Sequence, residues 1–124
     1  SRKVAVAEEG GRVDVWRDGT AVLGFTYVDV LVDGIYLLTQ SDLQASANIG
    51  TDQYVTVNEL VQTVIDISGK DLTIRHVDGP VGVAARNFSK ERMKALGWQA
   101  TVNLRAGMER TYAWVAEQVS QLNQ

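Results

Sequence analysis

The chain has 124 residues, of which 45% are apolar and 22% charged, with a formal charge of -3 and a sequence pI near 5.0. That length allows one modest core and a single domain over 1–124, and the acidic balance excludes nucleic acid as the main partner, because a phosphate-tracking surface needs net or clustered positive charge. With no cysteine and one histidine, His76, disulfides, thiol nucleophiles, thiolate ligands and poly-histidine metal sites are excluded.

In chain order, residues 2 to 9 read as the end of a helix stopped by Gly10-Gly11. Val13 and Val15 alternate with Arg12 and Asp14, the period of a half-buried strand that runs on to Trp16. Asp18-Gly19 is a turn dipeptide and Ala21 to Tyr27 a second strand, so residues 12 to 27 are expected to pair as a hairpin. From Asp29 the period becomes helical, with Leu31, Ile35 and Leu38 on one face and Val32 beside them. Ala47-Asn48-Ile49 is expected to be a short strand ending at Gly50.

Thr56-Val57-Asn58-Glu59 is a capping box opening a helix that Gly69 closes. Leu72 to Val77 alternates as a strand, and Asp78 to Phe88 is a loop. Ser89 is the expected cap of a short helix through Leu96, and Asn103 of a last helix with the stripe Leu104, Met108, Tyr112, Val115, Val119 and Leu122. Short strands interleaved with helices make the fold class α/β, with α+β as the alternative.

No apolar run approaches the roughly 20 residues that span a bilayer. Ser1-Arg2-Lys3-Val4-Ala5 carries no signal-peptide core. A cytoplasmic protein without a membrane partner is the expectation. Enzyme signatures are few. Gly79-Pro80-Val81-Gly82-Val83-Ala84-Ala85 fits G-x-x-G-x-x-A after a strand, but a dinucleotide loop must open directly into a helix so that pyrophosphate meets free N–H groups. The next helix start is signalled only at Ser89, so the segment reads as a loop alone.

Six pieces occur in order: Trp16-x-Asp18-Gly19, Phe25-Thr26-Tyr27-Val28-Asp29, Asn48-Ile49-Gly50, Thr56-Val57-Asn58-Glu59-Leu60, Leu96-Gly97-Trp98, and Leu104-x-x-Gly107-Met108-x-x-Thr111-x-x-Trp114. Together they resemble the C-terminal, substrate-binding region of extended short-chain dehydrogenases that act on nucleotide sugars. Gly79-Pro80-x-Gly82-Val83-x-x-Arg86-Asn87 is most similar to GDP-mannose 3,5-epimerases. The resemblance implies the C-terminal substrate-domain part of an NAD-dependent epimerase/dehydratase fold, without the Rossmann domain. In it, Arg86 matches an arginine that grips the diphosphate of a nucleotide sugar, and Lys3 a lysine that faces the same ligand. Trp98 and Trp114 are expected in the core.

Departures from the family pattern concern charge. Leu23-Gly24 stands where an arginine precedes Phe-Thr-Tyr, and Ala84 where relatives carry a second arginine. Each lost charged contact to phosphate costs about 1.5–3 kcal/mol, so nucleotide-sugar binding is expected to be weak. None of Tyr27, Tyr36, Tyr54 and Tyr112 has a lysine four residues later. The expectation is therefore no catalytic, cofactor or metal residue in this chain, NAD being bound elsewhere in the full-length family. Three forms fit: a truncated or orphaned substrate-binding portion, a repurposed binding or assembly module, or one chain of a split epimerase. In the family the helix at 29 to 39 and the segment 47 to 49 face the cofactor domain. Their apolar surface is expected to drive a homodimer or higher homo-oligomer through Leu31, Ile35, Leu38 and Ile49.

Overall fold

The computed structural model describes residues 1–85 and 88–123. Its order is α1 (Arg2–Val6), β1 (Arg12–Trp16), β2 (Val22–Gly24), α2 (Val28–Gln40), β3 (Tyr54–Thr56), α3 (Val57–Ser68), β4 (Thr73–Val77), α4 (Glu91–Ala95) and α5 (Leu104–Leu122). Helices and strands interleave, as the order of periodic segments implies.

The expected hairpin over 12 to 27 does not form. β1 pairs in parallel with β4, from Arg12 opposite Thr73 to Trp16 opposite Val77, and β2 pairs antiparallel with β3, from Val22 opposite Thr56 to Gly24 opposite Tyr54. The reason lies at the turn between β1 and β2. The first N–H groups of a helix need outside acceptors. Here Val57 N donates to Ala21 O at 3.1 Å and Asn58 N to Gly19 O at 3.0 Å, so the turn is drawn onto the start of α3. Asn58 Nδ2 adds a bond to Asp18 O at 2.8 Å. β2 is thereby led to β3, which runs directly into α3.

The capping box is present: Glu59 N donates to Thr56 Oγ1 at 3.1 Å, and Thr56 N to Glu59 Oε2 at 2.7 Å. Gly69 ends α3 with φ 70°. Asn103 caps α5 by accepting from Ala106 N at 2.8 Å. The cap of α4 sits one residue past the expected one: Lys90 occupies it without a side-chain bond, while Ser89 O accepts from Asn48 Nδ2 at 3.0 Å. No strand forms at 47 to 49. Ile49 instead packs by its side chain, and the backbone there has no ladder partner among the described residues.

Two apolar clusters hold the elements. Val4, Val13, Val64, Ile65 and Leu72 join α1, β1, α3 and the approach to β4. Val30, Met93 and Trp98 join α2 to α4 and the segment after it, with Leu37, Leu38 and Ile49 at their margin. Fully burying side chains of this size contributes about 1.5–3 kcal/mol each. The face of α2 differs from the periodicity reading. Val30 and Gly34 are buried, whereas Val32, Ile35 and Tyr36 are 54%, 47% and 68% exposed. Trp98 is in the core as expected, but Trp114 is 62% exposed, because α5 buries the side carrying Gly107.

α1 is secured from outside. Its final carbonyls lack helical partners, and Lys70 Nζ donates to Val4 O, Ala5 O and Ala7 O at 3.0, 2.9 and 2.8 Å. This interaction ends the helix at Val6, before Gly10 is reached, and fixes the element that carries Lys3.

A glycine inside a helix costs about 1 kcal/mol relative to alanine, yet Gly34 has a packing reason. A Cβ there would lie 2.9 Å from both Ile49 Cγ2 and Trp98 Cε2, and the Trp98 ring is rigid. Gly34→Ala should therefore lower stability, by about 1–3 kcal/mol, despite the better helix former. Chemical denaturation with Trp98 near-ultraviolet dichroism checks this, and an unchanged or raised midpoint would refute it.

Candidate functional site

A cleft of about 980 Å³ opens between the C-terminal end of β1, the N-terminal turns of α3 and the loop at 80 to 84. That is near the upper end of ordinary ligand pockets. Its walls are largely aliphatic: Val13, Val15, Leu23, Leu60, Val81 and Val83 contribute. The loop is held by Val22 N donating to Ala84 O at 2.8 Å, and no helix opens at Gly82, as the sequence implies.

Charge is confined to a few positions. Lys3 lies on α1, exposed, and its Nζ donates to Asp14 O at 3.0 Å, which places it at the cleft wall. Arg86, the expected diphosphate contact, lies outside the described residues. Leu23 and Ala84, the positions where arginines are expected from the family pattern, both line the cleft and bring it no charge.

The acidic groups beside the cleft are already engaged. Arg75 Nε and Nη2 meet Asp14 Oδ1 and Oδ2 at 2.7 and 2.9 Å, a bidentate pair across the parallel strands. Those hydrogen bonds hold the Asp14 carboxyl below its ordinary pKa and raise that of Arg75. Asp18 Oδ1 accepts from Thr20 N at 3.1 Å and Thr20 Oγ1 at 2.7 Å, and these bonds likewise lower its pKa.

One residue that sequence reasoning passed over is Arg17. It lines the cleft and has φ 59°, the left-handed region that β-carbon contacts disfavour. Holding a non-glycine residue there costs of order 1–3 kcal/mol. Its N–H continues the β1–β4 ladder to Val77 O at 2.7 Å. A charged residue after a strand and before Asp-Gly carries no spacing signal, so only the backbone angle singles it out.

A smaller cavity of about 330 Å³ lies between Thr26, Asn48, Thr51, Tyr54 and Lys90. The Lys90 side chain is only 8% exposed, and its ammonium donates to Tyr54 Oη and to Phe88 O, with Asp52 3.7 Å away. It lies 4.8 Å from the Tyr54 ring centroid. This tyrosine–lysine pair spans 36 residues, so no local motif could reveal it. Two hydrogen bonds and an ion pair occupy the ammonium, which makes Lys90 a tie between β3 and the start of α4. Among the described residues, no three histidine, aspartate or glutamate side chains gather as a metal site, and no helix is long and apolar enough to cross a membrane.

No protein-family model matches the chain. It is 38% identical over 109 residues to GDP-mannose 3,5-epimerase of Arabidopsis thaliana, a match covering 87% of this chain and 29% of that protein. It is 33% identical over 119 residues to GDP-L-fucose synthase 1 of the same plant, covering 94% and 36%. Among solved structures, UDP-glucose 4-epimerase of Thermotoga maritima with UDP-glucose superposes with a TM-score of 0.85 at 27% identity, covering 95% of this chain and 38% of that one. The chain thus spans less than two-fifths of the length of each of these proteins.

The Asp14–Arg75 pair makes a small, acid-sensitive contribution at the surface. The folded pKa of Asp14 lies below its unfolded value near 3.9, so its contribution is present above that value and is lost as pH falls through the folded pKa. Arg75→Gln should raise the Asp14 pKa toward the ordinary value. Carboxyl-detected NMR titration checks this; an unmoved Asp14 titration would show that Arg75 is not the cause.

Proposed function

We propose that this chain, a homologue of the C-terminal part of GDP-mannose 3,5-epimerases and GDP-L-fucose synthases with the fold of part of the NAD-dependent epimerases/dehydratases, forms the substrate-facing wall of a nucleotide-sugar site of the GDP-mannose kind. The observation that carries this reading is the cleft of about 980 Å³ with Lys3 on its wall, in a chain so related over 109 residues. Two phosphates require fixed positive charge, and a guanidinium offers a bidentate fork. In this reading Lys3 and Arg86 supply it. Because Leu23 and Ala84 add none, the grip is weak.

Hydride chemistry belongs to a bound cofactor. We assign NAD, and with it the catalytic acid and base groups, to a portion outside these 124 residues, so this chain by itself turns over no sugar. Calorimetric titration with GDP-mannose should give a dissociation constant between about 0.1 and 1 mM, near -4 to -5.5 kcal/mol, with NAD giving no heat. Arg86→Ala and Lys3→Ala should each weaken GDP-mannose binding. Absence of GDP-mannose binding by the unaltered chain sinks the reading.

A second reading concerns assembly and is favoured by α2. Val28, Val32, Ile35 and Tyr36 are 59%, 54%, 47% and 68% exposed on one helix. Such a contiguous apolar face marks an interaction surface, and we propose that a second copy of the chain covers it, giving a homodimer or higher oligomer. Leu38 and Ile49 take little part, since they pack within the second apolar cluster. Light scattering at micromolar concentration should report a dimer or larger, and Ile35→Glu should shift it to monomer. A monodisperse monomer for the unaltered chain refutes the assembly.

A further inference from the structure

We propose that Arg17 is a further cation that grips the anionic part of the ligand in the cleft, acting beside Lys3 and Arg86 on its phosphate groups. This rests on the nucleotide-sugar reading above and names a cation that neither motif nor family pattern supplies. Two left-handed positions follow β1 and are filled differently. Gly19 has φ 68°, and a Cβ there would approach Asn58 Oδ1 to 2.1 Å, so a side chain would displace the Asn58 amide that holds the turn. Arg17 has φ 59°, in the same region, and glycine would sit there without conformational penalty. An arginine is nevertheless present, at the edge of the cleft. A backbone outlier of this kind points toward function when a site adjoins it.

The electrostatics agree. Among the described lining residues the cationic side chains are Lys3 and Arg17. The lining acids face internal donors: Asp14 is held by Arg75, and Asp18 by Thr20. The Lys3 ammonium touches Asp14 O. The Arg17 guanidinium makes no hydrogen bond or ion pair among the described residues, though its charge acts on the adjacent Asp18. Its base is rigid. Arg17 N is bound to Val77 O, and the turn beyond it is pinned by Asn58. A planar guanidinium on a fixed backbone loses less freedom per phosphate hydrogen bond than a point-charge ammonium would, and Arg17 stands exposed at the cleft edge, open to an entering ligand.

The test is calorimetric titration of the unaltered chain, Arg17→Gly and Arg17→Lys with GDP-mannose, guanosine and inorganic pyrophosphate. Arg17→Gly relieves the left-handed strain, so its thermal midpoint should be equal or higher, and lost binding then reports lost charge. GDP-mannose affinity should fall roughly ten- to hundredfold in Arg17→Gly and recover in part in Arg17→Lys, while guanosine binding stays unchanged. Unchanged GDP-mannose affinity in folded Arg17→Gly overturns the assignment and leaves the nucleotide-sugar reading standing. Pyrophosphate binding that depends on Arg17, without GDP-mannose binding, supports the assignment and removes the nucleotide-sugar reading. Binding of neither ligand overturns both.

Discussion

Parallel strands cannot be joined by a tight turn, and β1 and β4 are parallel neighbours in register over five residue pairs. Everything from residue 17 to residue 72 must therefore leave one end of the sheet and return to the other. That path contains β2, α2, β3 and α3. The cleft is where it departs, since the last residues of β1 and the first turn of α3 form adjoining walls. Open α/β sheets place ligands beyond the carboxyl ends of their strands, and Trp16, Arg17 and the loop after Val77 occupy that end here.

Polar ties make this arrangement rigid where the site needs it. Lys70 satisfies the free carbonyls of α1 and so fixes the helix bearing Lys3. Asn58 serves the turn with both its backbone N–H and its side-chain amide, and His76 Nε2 lies 2.9 Å from Asn58 Oδ1. The single histidine thus supports the residue that supports the turn. Asp14 and Arg75 join facing positions of the two strands, a cross-strand pairing that favours this register.

Features written in adjacent residues were legible in the sequence. The Thr56–Glu59 box, the Gly69 stop, the Asn103 cap and the alternation of Val13 with Val15 are local, and each appears as read. Pairing was not legible. Asp18-Gly19 is a sound hairpin signal, but the acceptors it offers are taken by α3, an event set by residues some 40 positions away. Periodicity also misjudged α2. It ranks side chains by polarity, and the buried face is centred on Gly34, which has none. Of the site, Lys3 was reachable through resemblance alone, and the apolar wall at Leu23 through a departure from it. Arg17 and the Tyr54–Lys90 pair required coordinates, because a backbone angle and a 36-residue contact leave no local trace.

The two methionines sit in different worlds. Met93 is wholly buried beneath the α2–α4 cluster, while Met108 is half-buried and forms part of the cleft wall. Thioether oxidation follows access to solvent, so peroxide reaches Met108 first and Met93 only when that cluster opens. A ligand seated against this wall would shield Met108 and leave Met93 as it was. The chain carries its own pair of chemical reporters, one for occupancy of the cleft and one for integrity of the second core.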